Sequence, residues 1–364
     1  MADDDRSPVT RQSLLELDPT DSRLAVRGLA ELVSDGGQWV PRRLPLAVVP
    51  LLAETLESRA QMPASGRLQF VTDARRIEVD VAFETLEDAE ATPFDVVVDG
   101  EIASRTRISG RGTLAVENPS RAARHIEVWM PQFGFSRLGR LRFFDCEQVT
   151  APKDHAPRWT AYGSSITQCR TSAGPAETWP ALVARRHGWD LRGLGFGGQC
   201  HLDPLVGQFI RDTPAELISL CLGINIYEQA SFNERSLGAA IAGFVSTIRD
   251  GHPHTPIVLG SPIVSPSREA APNAVGLTLA RVRSIVHETG EALTRMGDPR
   301  LHIIDGLEVI GWPEEALLLD GLHPQDAGYR LMAERLGPRL SRVLSDAYPD
   351  PVLPGPLTES SDAA

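Results

Sequence analysis

Between residues 66 and 130 apolar and polar side chains alternate with period two. Ile77, Val79, Val81 and Phe83 fall on one face of a strand, with Glu78, Asp80 and Ala82 on the other. Similar runs occur at 67–71, 94–98, 113–117 and 125–130, and an Asp99-Gly100 turn closes the second of them. Short strands at close spacing predict an antiparallel β-sandwich, jelly-roll-like, as a first domain over residues 1–150. The segment around Gly36, Trp39 and Pro45 is expected to add edge strands. After Thr150 the stretch Ala-Pro-Lys-Asp-His-Ala-Pro reads as a linker.

Beyond the linker the pattern changes. Apolar runs at 159–162, 190–194, 217–222, 257–260 and 301–304 alternate with helical segments near 179–187, 234–250, 275–296 and 325–346. Alternating strands and helices predict an α/β domain over 151–347, with a parallel sheet covered on both faces. Residues 348–364 carry four prolines among small polar side chains and are expected to form a disordered tail.

Composition narrows the function. The chain has 364 residues, 48 acidic against 36 basic side chains and a formal net charge of -12. That excess, divided evenly about residue 150, argues against a nucleic-acid partner, which calls for a concentrated basic face. A membrane partner is not expected either, because no apolar run approaches the roughly 20 residues a bilayer needs. The start, Met-Ala-Asp-Asp-Asp-Arg, has neither a basic nor an apolar leader region, so a cytoplasmic location is expected. Cys146, Cys169, Cys200 and Cys221 form no C-x-x-C pair, and no metal is expected. Cys169 and Cys200 are expected to stay reduced and separate.

In an open parallel sheet, ligands gather at the carboxyl ends of the strands. Four segments stand there: Gly163-Ser164-Ser165, Gly195-Phe196-Gly197-Gly198, Gly223-Ile224-Asn225 and Asp320-Gly321-Leu322-His323. Each alone has a plain structural reading as a turn, a helix cap or a close approach of helix to sheet. Together they fill every role of acyl-transfer chemistry. A serine hydroxyl attacks only when a base takes its proton, and histidine titrates near neutrality. The histidine needs a carboxylate to hold its tautomer, and the developing oxyanion needs fixed N–H donors.

These four blocks, in this order, resemble the SGNH or GDSL-type hydrolases and acyltransferases. The resemblance spans residues 163–323 and implies a flavodoxin-like three-layer αβα domain. It makes Ser165 the nucleophile, Asp320 and His323 its relay, and Ser165, Gly198 and Asn225 the oxyanion donors. The serine pair leaves two registers open, and alignment with the family's third position selects Ser165. Two positions depart from the family: Ser164 stands where Asp is usual, and Ile226 follows Asn225 where Asp is frequent.

Rival readings fit less well. Gly193–Gly198 matches a dinucleotide fingerprint, yet it follows the second strand, and the next strand ends without a carboxylate. There is no Gly-x-Ser-x-Gly. His252-Pro-His254 reads as a solvated loop. Trp179 is expected in the core and Tyr227 near the pocket. A glycan-binding protein without activity would not need all five site residues.

The two-domain layout is similar to a bacterial subgroup that includes acyltransferases decorating polyketide antibiotics with aromatic acyl groups. The function expected from the resemblance is O-acyl transfer from a CoA thioester, acting as co-substrate with no bound cofactor, to a hydroxyl of a small natural product. An esterase acting on a small ester or acylated sugar is the alternative.

Overall fold

The computed structural model describes residues 13–86, 91–153 and 155–349. From residue 350 the expected tail lies outside the described residues, as does position 154 of the expected linker. The N-terminal part begins with strands β1 (Leu14–Leu17), β2 (Ala25–Arg27), β3 (Glu31–Asp35) and β4 (Gln38–Arg42), then helix α1 (Glu54–Ala60). Strands β5 (Arg67–Thr72), β6 (Arg76–Glu84), β7 (Phe94–Val98) and β8 (Glu101–Thr106) come next. Strands β9 (Gly110–Glu117), β10 (Arg124–Trp129), β11 (Phe135–Phe144) and β12 (Val149–Thr150) complete this part.

They build two antiparallel sheets. One runs β3-β4-β11-β6-β9 with β1 also on β11, and the other runs β12-β5-β10-β7-β8 with β2 on β5. Ile77, Val79, Val81 and Phe83, the apolar face of β6, are buried against Phe70, Val96, Ile126 and Val128. The alternation does not reveal β11, although it pairs with three strands. Its ladder with β6 shifts register between Leu138 and Leu141, so both are buried three residues apart and period two is lost.

The second part contains β13 (Arg158–Gly163), α2 (Ser165–Gln168), α3 (Trp179–His187) and β14 (Asp190–Gly195). It continues through α4 (Pro204–Asp212), β15 (Leu217–Cys221), α5 (Ile224–Gln229) and α6 (Leu237–Gly251). Strand β16 (Ile257–Gly260), α7 (Leu279–Arg295), β17 (Leu301–Ile304) and α8 (Asp326–Ala347) end it. The five strands are parallel in the order β14-β13-β15-β16-β17, the doubly wound arrangement, flanked by helices. The chain adds β14 on one side of β13 and β15 on the other, and this switch in strand order opens a crevice at their carboxyl ends. Helix α4 was not expected from the sequence: Pro204 opens it and Gly207 interrupts it, and both read as turn residues.

The antiparallel and parallel parts share buried contacts. Leu44, Leu56, Ala60, Val97 and Trp129 belong to the same apolar cluster as the parallel sheet. Arg43 has no exposed surface, and its guanidinium donates to the carbonyls of Met62, Arg59, Gly193 and Gly195. Burial, and secondarily Arg59, push its pKa down to about 9, which still leaves it charged at neutral pH. Replacing it by Met strands four buried acceptors, two of them on β14. Arg43→Met is therefore expected to cost at least about 3 kcal/mol, read as a lower urea midpoint. An unchanged midpoint would refute this role.

Candidate active site

Strand β13 ends at Gly163, where a Cβ would fall 2.2 Å from Thr167 Oγ1, so only glycine lets α2 turn back this tightly. Ser164 caps α2: it is buried, and its Oγ accepts the Ile166 N–H at 3.2 Å. A capping hydroxyl does here what a carboxylate at the same position can also do. Ser165, the first helical residue, instead points its Oγ at His323 Nε2, 2.8 Å away. The two serines thus have separate tasks, which separates the two registers left open in the sequence. Ser164→Ala is expected to cost about 1 kcal/mol of stability while a fluorophosphonate still labels Ser165. Loss of labelling with the fold intact would assign the reactive hydroxyl to Ser164.

The loop before α8 carries the partners. Asp320 Oδ2 lies 2.8 Å from His323 Nδ1, and Oδ1 accepts the backbone N–H groups of Leu322 and His323 at 3.1 and 2.7 Å. Gly321, at φ +72, allows this tight turn. Ser265 Oγ donates to the Gly321 carbonyl and Thr171 Oγ1 to that of Pro324, so the loop is pinned at both ends. Desolvation works to raise the Asp320 pKa, but the His323 backbone and ring N–H groups outweigh it and hold the carboxyl at about 2. With Nδ1–H given to this carboxylate, Nε2 is the acceptor for the Ser165 hydroxyl.

The remaining two blocks converge on the same spot. Gly195 packs directly on α2, where a Cβ would fall 2.3 Å from Gln168 N. The next loop brings Gly197 beside the serine: a Cβ on Gly197 would lie 3.6 Å from Ser165 Cβ. Gly198 has φ +72, and its carbonyl accepts from Gln229 Nε2 at 2.7 Å. Asn225, buried at the start of α5, accepts the Cys200 N–H on Oδ1 at 3.1 Å. That leaves its amide NH2 end without a protein acceptor among the described residues. All five residues of the sequence reading meet at one end of the sheet: a hydrogen-bonded Ser-His-Asp row with a glycine loop and an amide beside it. Such an arrangement can move a proton off a hydroxyl and offer N–H donors to a developing oxyanion.

Several contributors escaped the sequence reading. Gln168 Oε1 accepts the Gly197 N–H at 2.8 Å, and its Nε2 donates to the Gln132 carbonyl at 3.0 Å. Arg59 of α1 holds the Gly197 carbonyl at 3.1 Å, and Thr55 contacts Gln199. The glycine loop is therefore gripped from the N-terminal part of the chain. Gln168, one helical turn after Ser165, carried a legible signal; Arg59, 138 residues from Gly197, carried none.

Other expectations need adjusting. His252 is no solvated loop residue: it is buried, with Nε2 on the Ile210 carbonyl and Nδ1 near Thr255 Oγ1. Tyr227 is also buried, with its hydroxyl donating to the Ala271 carbonyl. Trp179 lies in the core, donating to the Ile166 carbonyl under α2. Ile226 is fully buried, which explains an apolar side chain after Asn225. All four cysteines are free thiols, and burial pushes those of Cys169 and Cys200 up. Among the described residues no helix is long and apolar enough to cross a membrane.

The GDSL-like lipase/acylhydrolase family model matches residues 158–341. No curated protein sequence matches the chain. Among solved structures, the salicylyl-acyltransferase SsfX3 from a tetracycline biosynthetic pathway is similar at 31% identity and a TM-score of 0.84, over 91% of this chain and 98% of that one. A GDSL-like lipase structure from Bacteroides ovatus aligns at 18% identity and a TM-score of 0.75, covering 92% and 98%. A family two carbohydrate esterase from Cellvibrio japonicus aligns at 15% and 0.65, covering 92% and 99%. The last two likenesses speak for the fold alone. With the family model spanning half the chain and a relative aligned along nearly all of it, this protein belongs to the GDSL-like lipase/acylhydrolase family and is an acyltransferase or esterase of that kind.

Proposed function

We propose that the protein is a serine-dependent O-acyltransferase that moves an acyl group, aromatic in the favoured case, from a CoA thioester to a hydroxyl of a small natural product. The observation that carries the chemistry is the unbroken row from Ser165 Oγ through His323 to Asp320. Ser165 Oγ attacks the thioester carbonyl while its proton passes to His323 Nε2. The C–S bond then breaks, and His323 returns the proton to the departing thiolate. An acyl-enzyme remains on Ser165. The acceptor hydroxyl gives its proton to His323 and attacks the acyl carbon, and Ser165 leaves with that proton. Through both tetrahedral stages the Gly198 and Ser165 backbone N–H groups and the Asn225 amide hold the negative oxygen.

Transfer is favoured over hydrolysis because SsfX3 matches along 91% of this chain, antiparallel sheets included. Ester hydrolysis, with water as acceptor, is the reading favoured by the family description. Incubation with benzoyl-CoA, with and without a hydroxylated acceptor, separates them. Transfer requires acyl product on the acceptor and a fall in free benzoate. Benzoate release at an unchanged rate in the presence of acceptor would establish the esterase.

A further inference from the structure

The N-terminal part brings charge to the site as well as hydrogen bonds. A Cβ on Gly197 would lie 3.6 Å from Ser165 Cβ and 3.7 Å from Arg59 Nε, so both side chains border one methyl-sized space. Arg170, just past α2, is exposed. Both guanidinium carbons pack over the ring of Phe133, that of Arg170 at 4.7 Å and that of Arg59 at 5.8 Å from its centroid. Among the described residues, Arg59 gives only its Nε to a protein acceptor, the Gly197 carbonyl. Neither guanidinium has a carboxylate within 4.0 Å among the described residues, whereas Arg105, Arg158, Arg283 and many others do. Half-burial, and then the charge of Arg170, lower the Arg59 pKa, so the two cations feel each other.

In a chain with net charge -12, two neighbouring unpaired cations beside a reactive serine are a costly arrangement that an anionic ligand relieves. Distance limits where that anion sits. The phosphates of a CoA thioester lie a full pantetheine arm from the reacting carbonyl, while Arg59 shares a methyl-sized space with Ser165. A planar guanidinium matches a carboxylate with two parallel hydrogen bonds.

We infer that Arg59 and Arg170, set on Phe133 beside Ser165, form a subsite for a carboxylate carried by the acyl group or by the acceptor. The inference rests on the acyl-transfer reading of Ser165 and adds to it the charge of the substrate. The aromatic platform fixes both guanidinium groups, and the anion adds the missing counter-charge.

Two pairs of esters test it. In the acyl arm, the 4-nitrophenyl half-ester of isophthalate is compared with 4-nitrophenyl 3-isopropylbenzoate. In the acceptor arm, 3-acetoxybenzoate is compared with 3-isopropylphenyl acetate. The wild-type protein should prefer the anionic ester in one arm, and that arm identifies which substrate bears the carboxylate. The ratio of kcat/KM values, anionic over neutral, should fall about tenfold in Arg170→Gln and in Arg59→Gln, and should shrink as NaCl is added. Taking the ratio within each variant cancels any loss of folded protein. Turnover of neutral esters without anionic preference in either arm, or an unaltered ratio in Arg170→Gln, would overturn the subsite alone. No turnover of any of the four esters, with no labelling of Ser165 by a fluorophosphonate, would overturn the acyl-transfer reading and the subsite with it.

Discussion

Ser165→Ala should lower kcat for any acyl donor by roughly 10⁶-fold, with the fold unchanged. The half-buried Ser165 Oγ sits 2.8 Å from His323 Nε2, while the hydroxyl of the neighbouring Ser164 accepts the Ile166 N–H. Nothing else in the hydrogen-bonded row can form the acyl-enzyme. Because serine and histidine act as one unit, Ser165→Ala combined with His323→Ala should be hardly worse than either alone. Single-turnover kinetics with benzoyl-CoA and the far-ultraviolet circular dichroism of each variant check this. Turnover by Ser165→Ala within tenfold of wild type would remove the serine mechanism.

Asp320→Asn is expected to lower kcat by about 10⁴-fold. An amide in place of the carboxylate can present its NH2 to Nδ1, which selects the tautomer whose Nε2 carries a proton and cannot accept that of Ser165. The carboxylate also stabilises the imidazolium once formed. The pH profile follows from the same contacts. The Asp320 pKa is held at about 2, below its ordinary 3.8, so the ionised carboxylate's contribution is present above about pH 4 and is lost as the pH falls toward 2. Any acid-side fall in kcat/KM between pH 4 and 7 should therefore belong to a group other than Asp320. A carboxyl titrating near pH 4 in the wild-type kcat/KM profile, absent in Asp320→Asn, would contradict this.

The order of strands and helices was readable wherever one period held for the length of an element. The face of β6 and the five parallel strands are of this kind, because burial on one face or both writes itself into residue choice. Strand β11 was not readable, because a register shift between Leu138 and Leu141 erases the period that would announce it. Helix α4 was hidden by Pro204 and Gly207, which read as turn residues. His252 was misread because two polar partners, Ile210 and Thr255, satisfy it in the interior, and a satisfied buried histidine looks like an exposed one in sequence.

The site divides along the same line. By itself the sequence marked out the four blocks that hold the five candidate positions, since glycine turns and an Asp-x-x-His loop are local arrangements whose residues lie within a few positions of one another. Only the tertiary structure decided which serine faces the histidine: Ser164 and Ser165 are chemically identical, and they differ only in where α2 points each hydroxyl. It alone also decided that Arg59, Gln132 and Phe133 reach the site. Their contacts with Gly197, Gln168 and Arg170 join residues far apart in the chain, and no local period or spacing records a contact made by the docking of two sheets against each other.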